Sequence, residues 1–115
     1  MTISEVKTMV ESIGYSATYY EFQGSAPSKP FIVWYFPQSA DFYADGQNYQ
    51  KIEQLNIELY TYTKNFEAEA AVEEVLKTYG LSWSREETMI DQESGYEVLF
   101  ITEVLLNGEQ SQIQP

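Results

Sequence analysis

Cysteine and histidine are both absent from this 115-residue chain. Without cysteine there is no disulfide framework, zinc ribbon, thiolate nucleophile or iron–sulfur site. Without histidine there is no Ser-His-Asp triad, no histidine-ligated metal and no unperturbed side chain titrating near neutral pH. Most enzyme classes drop out, and neither catalysis nor a cofactor or metal is expected. The lack of disulfides fits synthesis in a reducing cytoplasm. Basic residues are scarce as well: six Lys and Arg stand against eighteen Asp and Glu, a net charge of −12. Such a balance opposes attraction to nucleic-acid phosphates or anionic lipid. Long apolar runs are missing too. Phe31 to Phe36 and Val98 to Ile101 are the longest, far short of the ~20 residues a spanning helix needs. Met1-Thr2-Ile3-Ser4-Glu5-Val6 carries neither the basic nor the apolar region of a signal peptide. The expectation is a soluble protein that is not exported by that route.

What is abundant is aromatic and apolar surface, 16% and 43% of residues, enough to offset the entropy of ordering one domain. Ile3, Val6, Met9, Val10 and Ile13 recur at helical spacing, and Thr2-Ile3-Ser4-Glu5 has the form of a capping box. A helix ending at Gly14 is expected. Tyr15 to Phe22 and Phe31 to Phe36 read as strands, separated by the breakers Gly24 to Pro30. The second run is apolar on both alternating faces, so both should be covered, by helices on one side and by another subunit on the other. Pro37 to Tyr49 reads as a long hairpin excursion turning at Asp45-Gly46. From Ile52 to Thr63 the pattern alternates, with Leu55, Ile57 and Leu59 on one face and Asn56, Glu58, Tyr60 and Tyr62 on the other. Asn65 can cap a helix running to about Tyr79 and stopped by Gly80. Its buried stripe would be Phe66, Ala70, Val72, Val75, Leu76 and Tyr79, and its outer face acidic. Leu81 to Met89 and Tyr96 to Leu105 read as a hairpin, and Asn107 to Pro115 as a frayed, flexible tail. The order implies a two-layer α+β domain over residues 1–106, a mostly antiparallel sheet of four to five strands packed against two helices.

Few constellations suggest chemistry. Asp41 and Asp45 sit beside Phe42 and Tyr43, but their spacing matches no calcium loop, and Asp is common at hairpin tips. Glu67, Glu69, Glu73 and Glu74 face out with only Lys77 to offset them, which is the pattern of a solvated helix face. Trp34, Tyr35 and Phe36 belong to a continuous apolar strand and read as core. Phe42, Tyr43, Tyr49, Tyr60 and Tyr62 differ, because they fall in the excursion or on the polar side of a strand. Tyrosine there suits a protein interface, where a rigid ring with a polar tip can be half buried.

The segments Pro30 to Phe36, Asp41-Phe42-Tyr43-Ala44-Asp45-Gly46, Tyr49 to Ile52, Leu55-Asn56-Ile57-Glu58-Leu59-Tyr60-Thr61 and Tyr96 to Phe100 together resemble small tail proteins of long-tailed phages and prophages of Gram-positive bacteria. In particular the chain resembles the tail terminator family, also called tail completion or tail-to-head joining proteins, to which the phage lambda tail terminator is related in fold. The resemblance spans roughly residues 2–106. It implies a virion protein with no catalysis, a homo-hexameric ring that caps the tail tube and meets a head-tail connector or head-completion protein. It implies inter-subunit or tube contact through the Pro37 to Tyr49 hairpin, so the candidate assembly residues are Asp41, Phe42, Tyr43, Asp45 and Tyr49, joined by Tyr60 and Tyr62 from the polar side of their strand. It also implies an acidic ring lumen, with Glu67, Glu69, Glu73 and Glu74 as candidates, through which DNA passes without specific binding. Two alternatives stay open: another neck or minor tail component, and a small acidic inhibitor that mimics DNA.

Overall fold

Thr2 and Glu5 close the capping box that starts the first helix. Thr2 Oγ1 accepts from the Glu5 N–H at 3.0 Å, and Glu5 Oε1 accepts from the Thr2 N–H at 2.7 Å. Two donors that no helical carbonyl can reach are thereby satisfied, and α1 runs over Ile3–Glu11. The computed structural model describes residues 1–39, 51–91 and 95–106. After α1 come β1 (Ser16–Tyr19), β2 (Phe31–Tyr35), β3 (Lys51–Thr61), α2 (Phe66–Thr78), β4 (Trp83–Asp91) and β5 (Gly95–Leu106). The five strands form one mixed sheet in the order β1-β2-β3-β5-β4. The fold is α+β.

The longest pairing is antiparallel, between β3 and β5, from Lys51↔Leu106 to Thr61↔Tyr96. Because side chains alternate across a sheet, this register places Leu55, Ile57 and Leu59 on the same face as Val98, Phe100 and Val104. Ile32 and Trp34 of β2 join them, and Val6, Met9 and Val10 of α1 and Ala68, Val72 and Leu76 of α2 complete one buried cluster. Both helices therefore lie on one side of the sheet. β4 and β5 form the expected hairpin, with a register irregularity between Met89 and Asp91.

Three expectations change. β1 is parallel to β2, pairing Ser16↔Phe31 through Tyr19↔Trp34, where antiparallel strands were expected. The eleven-residue connection lets the chain return to the same end of the sheet before β2 begins, which a tight hairpin cannot do. β1 is also shorter than expected, since Tyr20 turns into the left-handed region at φ 71°. Finally, the buried residues of α2 are Ala68, Glu69, Val72 and Leu76, whereas Ala70 and Tyr79 are exposed and Phe66 is 73% exposed. The helix is thus rolled away from the stripe that hydrophobicity alone selects. Most of the excursion expected over Pro37 to Tyr49, the turn after Asp91 and the tail from Asn107 lie outside the described residues.

Gly95 opens β5 at φ 91°, where a Cβ would collide with the Thr61 carbonyl oxygen and approach Tyr62 Cα to 2.9 Å. Both obstacles are backbone and cannot rotate away. Gly95→Ala is expected to cost about 2–3 kcal/mol and to lower the melting temperature by about 10 °C, measured by thermal unfolding followed by circular dichroism.

Candidate functional site

The sheet face opposite the helices carries the most unusual chemistry of the molecule. The register puts Phe31, Val33 and Tyr35 of β2 on it, with Gln54, Asn56, Glu58 and Tyr60 of β3 and Glu97, Leu99, Ile101 and Glu103 of β5. No helix among the described residues covers this face, and the β1–β2 connection reaches only its edge, where Tyr20 packs against Tyr35 and Phe22 against Phe31. Its apolar members are nevertheless packed by their neighbours: Val33 is 9% exposed, and Phe31, Leu99 and Ile101 are half buried. Phe31 stacks on Tyr60 with ring centroids 5.1 Å apart.

A chain of polar groups crosses the face. Gln38 Nε2 donates to Gln54 Oε1 at 3.1 Å, and Gln54 Nε2 donates to Asn56 Oδ1 at 3.0 Å. Asn56 Nδ2 donates weakly to Tyr35 Oη at 3.4 Å. Tyr35 Oη and Tyr60 Oη then donate to the two oxygens of the Glu58 carboxyl, each at 2.6 Å. Glu97 completes the group, because the Tyr60↔Glu97 pairing sets it on the same face, diagonal to Glu58.

The energetics follow from that crowding. Desolvation raises Glu97 above the ordinary glutamate range, and the nearby charge of Glu58 pushes the same way. Tyr60 is held far above an ordinary phenol, first by burial and then by its bond to Glu58. Tyr35 is raised mainly by its bond to Glu58. Both phenols are held as donors to Glu58, with the second carboxyl, Glu97, beside them on the face opposite the helices.

Tyr60, expected at an interface, is thus half buried and anchored. Tyr62 is 57% exposed, with Lys29 Nζ 5.1 Å from its ring centre. Asp41, Phe42, Tyr43, Asp45 and Tyr49 lie outside the described residues.

The four glutamates of α2 do not act as one surface. Glu67 and Glu74 are exposed, but Glu69 is 3% exposed and Glu73 is half buried. Lys64 Nζ binds Glu69 Oε2 and Glu87 Oε1, both at 2.7 Å, while Arg85 reaches Glu69 Oε1 at 3.3 Å and Glu73 Oε2 at 3.6 Å. Trp83 Nε1 donates to Glu73 at 3.2 Å. Burial pulls the Lys64 ammonium down, but its bonds to Glu69 and Glu87 outweigh that and leave it raised. This cluster clamps α2 against β4. Glu69 therefore does not belong to the solvated helix face expected of it, because its carboxylate is engaged inside the subunit.

Sequence reasoning missed Glu58 and Glu97 as a pair. They are 39 positions apart in the chain numbering, and only the Tyr60↔Glu97 register brings them together. Alternation placed Glu58 on the outward face of its strand, and nothing local marks Glu97. No group of three or more His, Cys, Asp or Glu among the described residues is placed to hold a metal ion. No helix among them is long and apolar enough to cross a membrane. No protein-family model matches the chain, and no curated protein matches it.

Two outcomes test these clusters. The folded chain keeps a proton on Glu97 at pH values where the unfolded chain has released it, so stability falls as pH rises through that window. Glu97→Gln should remove this slope, gaining about 0.5 kcal/mol near neutrality, the size of a like-charge cross-strand pair. The gain should fade once the pH drops below the ordinary glutamate range, as read from melting curves across pH. Glu69→Gln should instead lose about 2 kcal/mol in urea titrations at pH 7, since Lys64 and Arg85 lose the buried charge they share.

Proposed function

We propose that this chain is a structural phage or prophage protein, a tail terminator whose subunits form a ring that caps the tail tube and joins it to the head. The observation that carries this reading is the sheet face that no described helix covers. A domain that leaves Phe31, Tyr60, Leu99 and Ile101 only half buried and Leu105 49% exposed on a side without described helices has a surface suited to assembly, since apolar area left on a domain's surface marks an interaction site. The α+β architecture and the Leu55 to Thr61 strand agree with the resemblance in sequence. Six subunits, the tube protein and the head-completion protein as neighbours, passage of DNA and a place in the virion neck all belong to this proposal. So does the absence of catalysis.

A second reading is favoured by one feature, the concentration of glutamates on the same face. Glu58, Glu97, Glu103 and, from β4, Glu86 share it, as an acidic inhibitor of a basic protein would require. The alternation of these acids with Leu99 and Ile101 argues against a pure mimic of a phosphate backbone.

Light scattering over a concentration series, followed by negative-stain imaging, separates the two. A mass near six subunits with a central hole is expected. A monomer at every concentration, both alone and on addition of purified tail tubes, would overturn the terminator reading.

A further inference from the structure

We propose that the helix-free sheet face docks a basic protein other than this chain, whose Arg or Lys side chains reach Glu58 and Glu97 while its apolar side chains cover Val33, Leu99 and Ile101. This rests on the reading of that face as an interface and adds the identity of its occupant. In the terminator reading the occupant is a neighbour along the tail axis, and ring closure between sister subunits falls to other surfaces.

The argument is one of charge inventory. The chain has six basic residues, Lys7, Lys29, Lys51, Lys64, Lys77 and Arg85, and all lie among the described ones. Lys64 and Arg85 are engaged with Glu69 on the helix side, and Lys51 is 3.1 Å from Glu53. Lys7 and Lys77 belong to the helices, on the opposite side of the sheet. Lys29 lies over Tyr62, before β2 begins. None of them acts on Glu97, on which burial and Glu58 are the influences and all push upward. Residues 40–50, 92–94 and 107–115 contain no Lys or Arg at all, and the Met1 ammonium is engaged with the Leu105 carbonyl oxygen at 2.7 Å.

A second copy fits poorly for the same reason. Pairing the face with itself would set Glu58, Glu97, Glu103 and Glu86 against the same four residues, and like charges brought together at an interface are costly. A different surface of a second copy offers Lys7 four residues from Glu11, and Lys77 close after Glu73 and Glu74. Neither is a basic patch. An outside protein bearing arginine suits the face best, because a planar guanidinium can bridge two carboxyls while its stem lies along leucine and isoleucine side chains.

The test uses the whole chain, labelled at Ile, Leu and Val methyls, and a capped peptide of alternating arginine and leucine as the probe. The peptide should shift the methyl resonances of Val33, Leu99 and Ile101. Glu97→Gln/Glu103→Gln should weaken its binding about fivefold, whereas Glu67→Gln/Glu74→Gln, with the same net charge but altered on exposed α2 positions, should change it less than twofold. Equal weakening in both variants, or shifts centred on the helices, would mean general attraction to an acidic protein and overturn the proposal. So would broadening of the face methyls with protein concentration before peptide is added, since the face would then be occupied by a second copy. That last result leaves a ring possible. A chain that stays monomeric even with purified tail tubes, but whose peptide shifts map to the face, would instead sink the ring and leave the docking surface standing.

Discussion

The antiparallel register between β3 and β5 is the constraint on which the rest depends. It runs the full length of β3, from Lys51↔Leu106 to Thr61↔Tyr96, and decides which side chains face the helices. A slip of one residue would send Leu55, Ile57 and Leu59 to the outer face and bring Glu58 and Asn56 into the core. Gly95 helps to fix the register at one end, because only a residue without a Cβ can pass so close to the Thr61 and Tyr62 backbone. The same register creates the outer cluster, since it is what sets Glu97 across from Tyr60 and diagonal to Glu58.

Glutamates carry two opposite solutions to burial in this small domain. On the helix side Glu69 is almost wholly buried but meets Lys64 and Arg85, so its charge is compensated within the subunit and serves to hold α2 on β4. On the other side Glu58 and Glu97 meet each other and two phenols. Hydrogen bonds from Tyr35 and Tyr60 satisfy the Glu58 oxygens, yet no Lys or Arg forms an ion pair with either carboxyl among the described residues. A chain with few basic residues has placed two of them where they hold the fold together and none beside the outer pair. The uneven allocation sets a structural clamp apart from a carboxyl pair with no cation of its own, because breaking a buried ion pair destabilises the fold.

The two-sided character of β2 connects fold and function. Ile32 and Trp34 enter the core, while Phe31, Val33 and Tyr35 face outward, so the strand has no solvent-adapted side. In a sheet with helices on both faces such a strand is ordinary. Here both helices pack on one face, and the apolar surplus on the other is the physical basis for reading the domain as an assembly component.

Much of this was legible in the amino-acid order. The capping box at Thr2 and Glu5, the Asn65 cap, whose side chain accepts from the Ala68 N–H, the alternation of Leu55, Ile57 and Leu59, and the β4–β5 hairpin are all local or periodic. Short-range sterics and hydrogen bonds determine them without reference to distant residues. The absence of cysteine and histidine likewise limits the available chemistry whatever the fold. Only the tertiary structure decided that β1 runs parallel to β2, that α2 buries Glu69 while Phe66 and Ala70 face outward, and that Glu58 meets Glu97. Each depends on partners far away in the chain: Trp34 across from Tyr19, Lys64 and Arg85 around a carboxylate, one strand's register against another. Hydrophobic periodicity ranks glutamate as a surface residue because it cannot see the cations that make its burial tolerable, and pairing between strands is a property of space that no local pattern encodes.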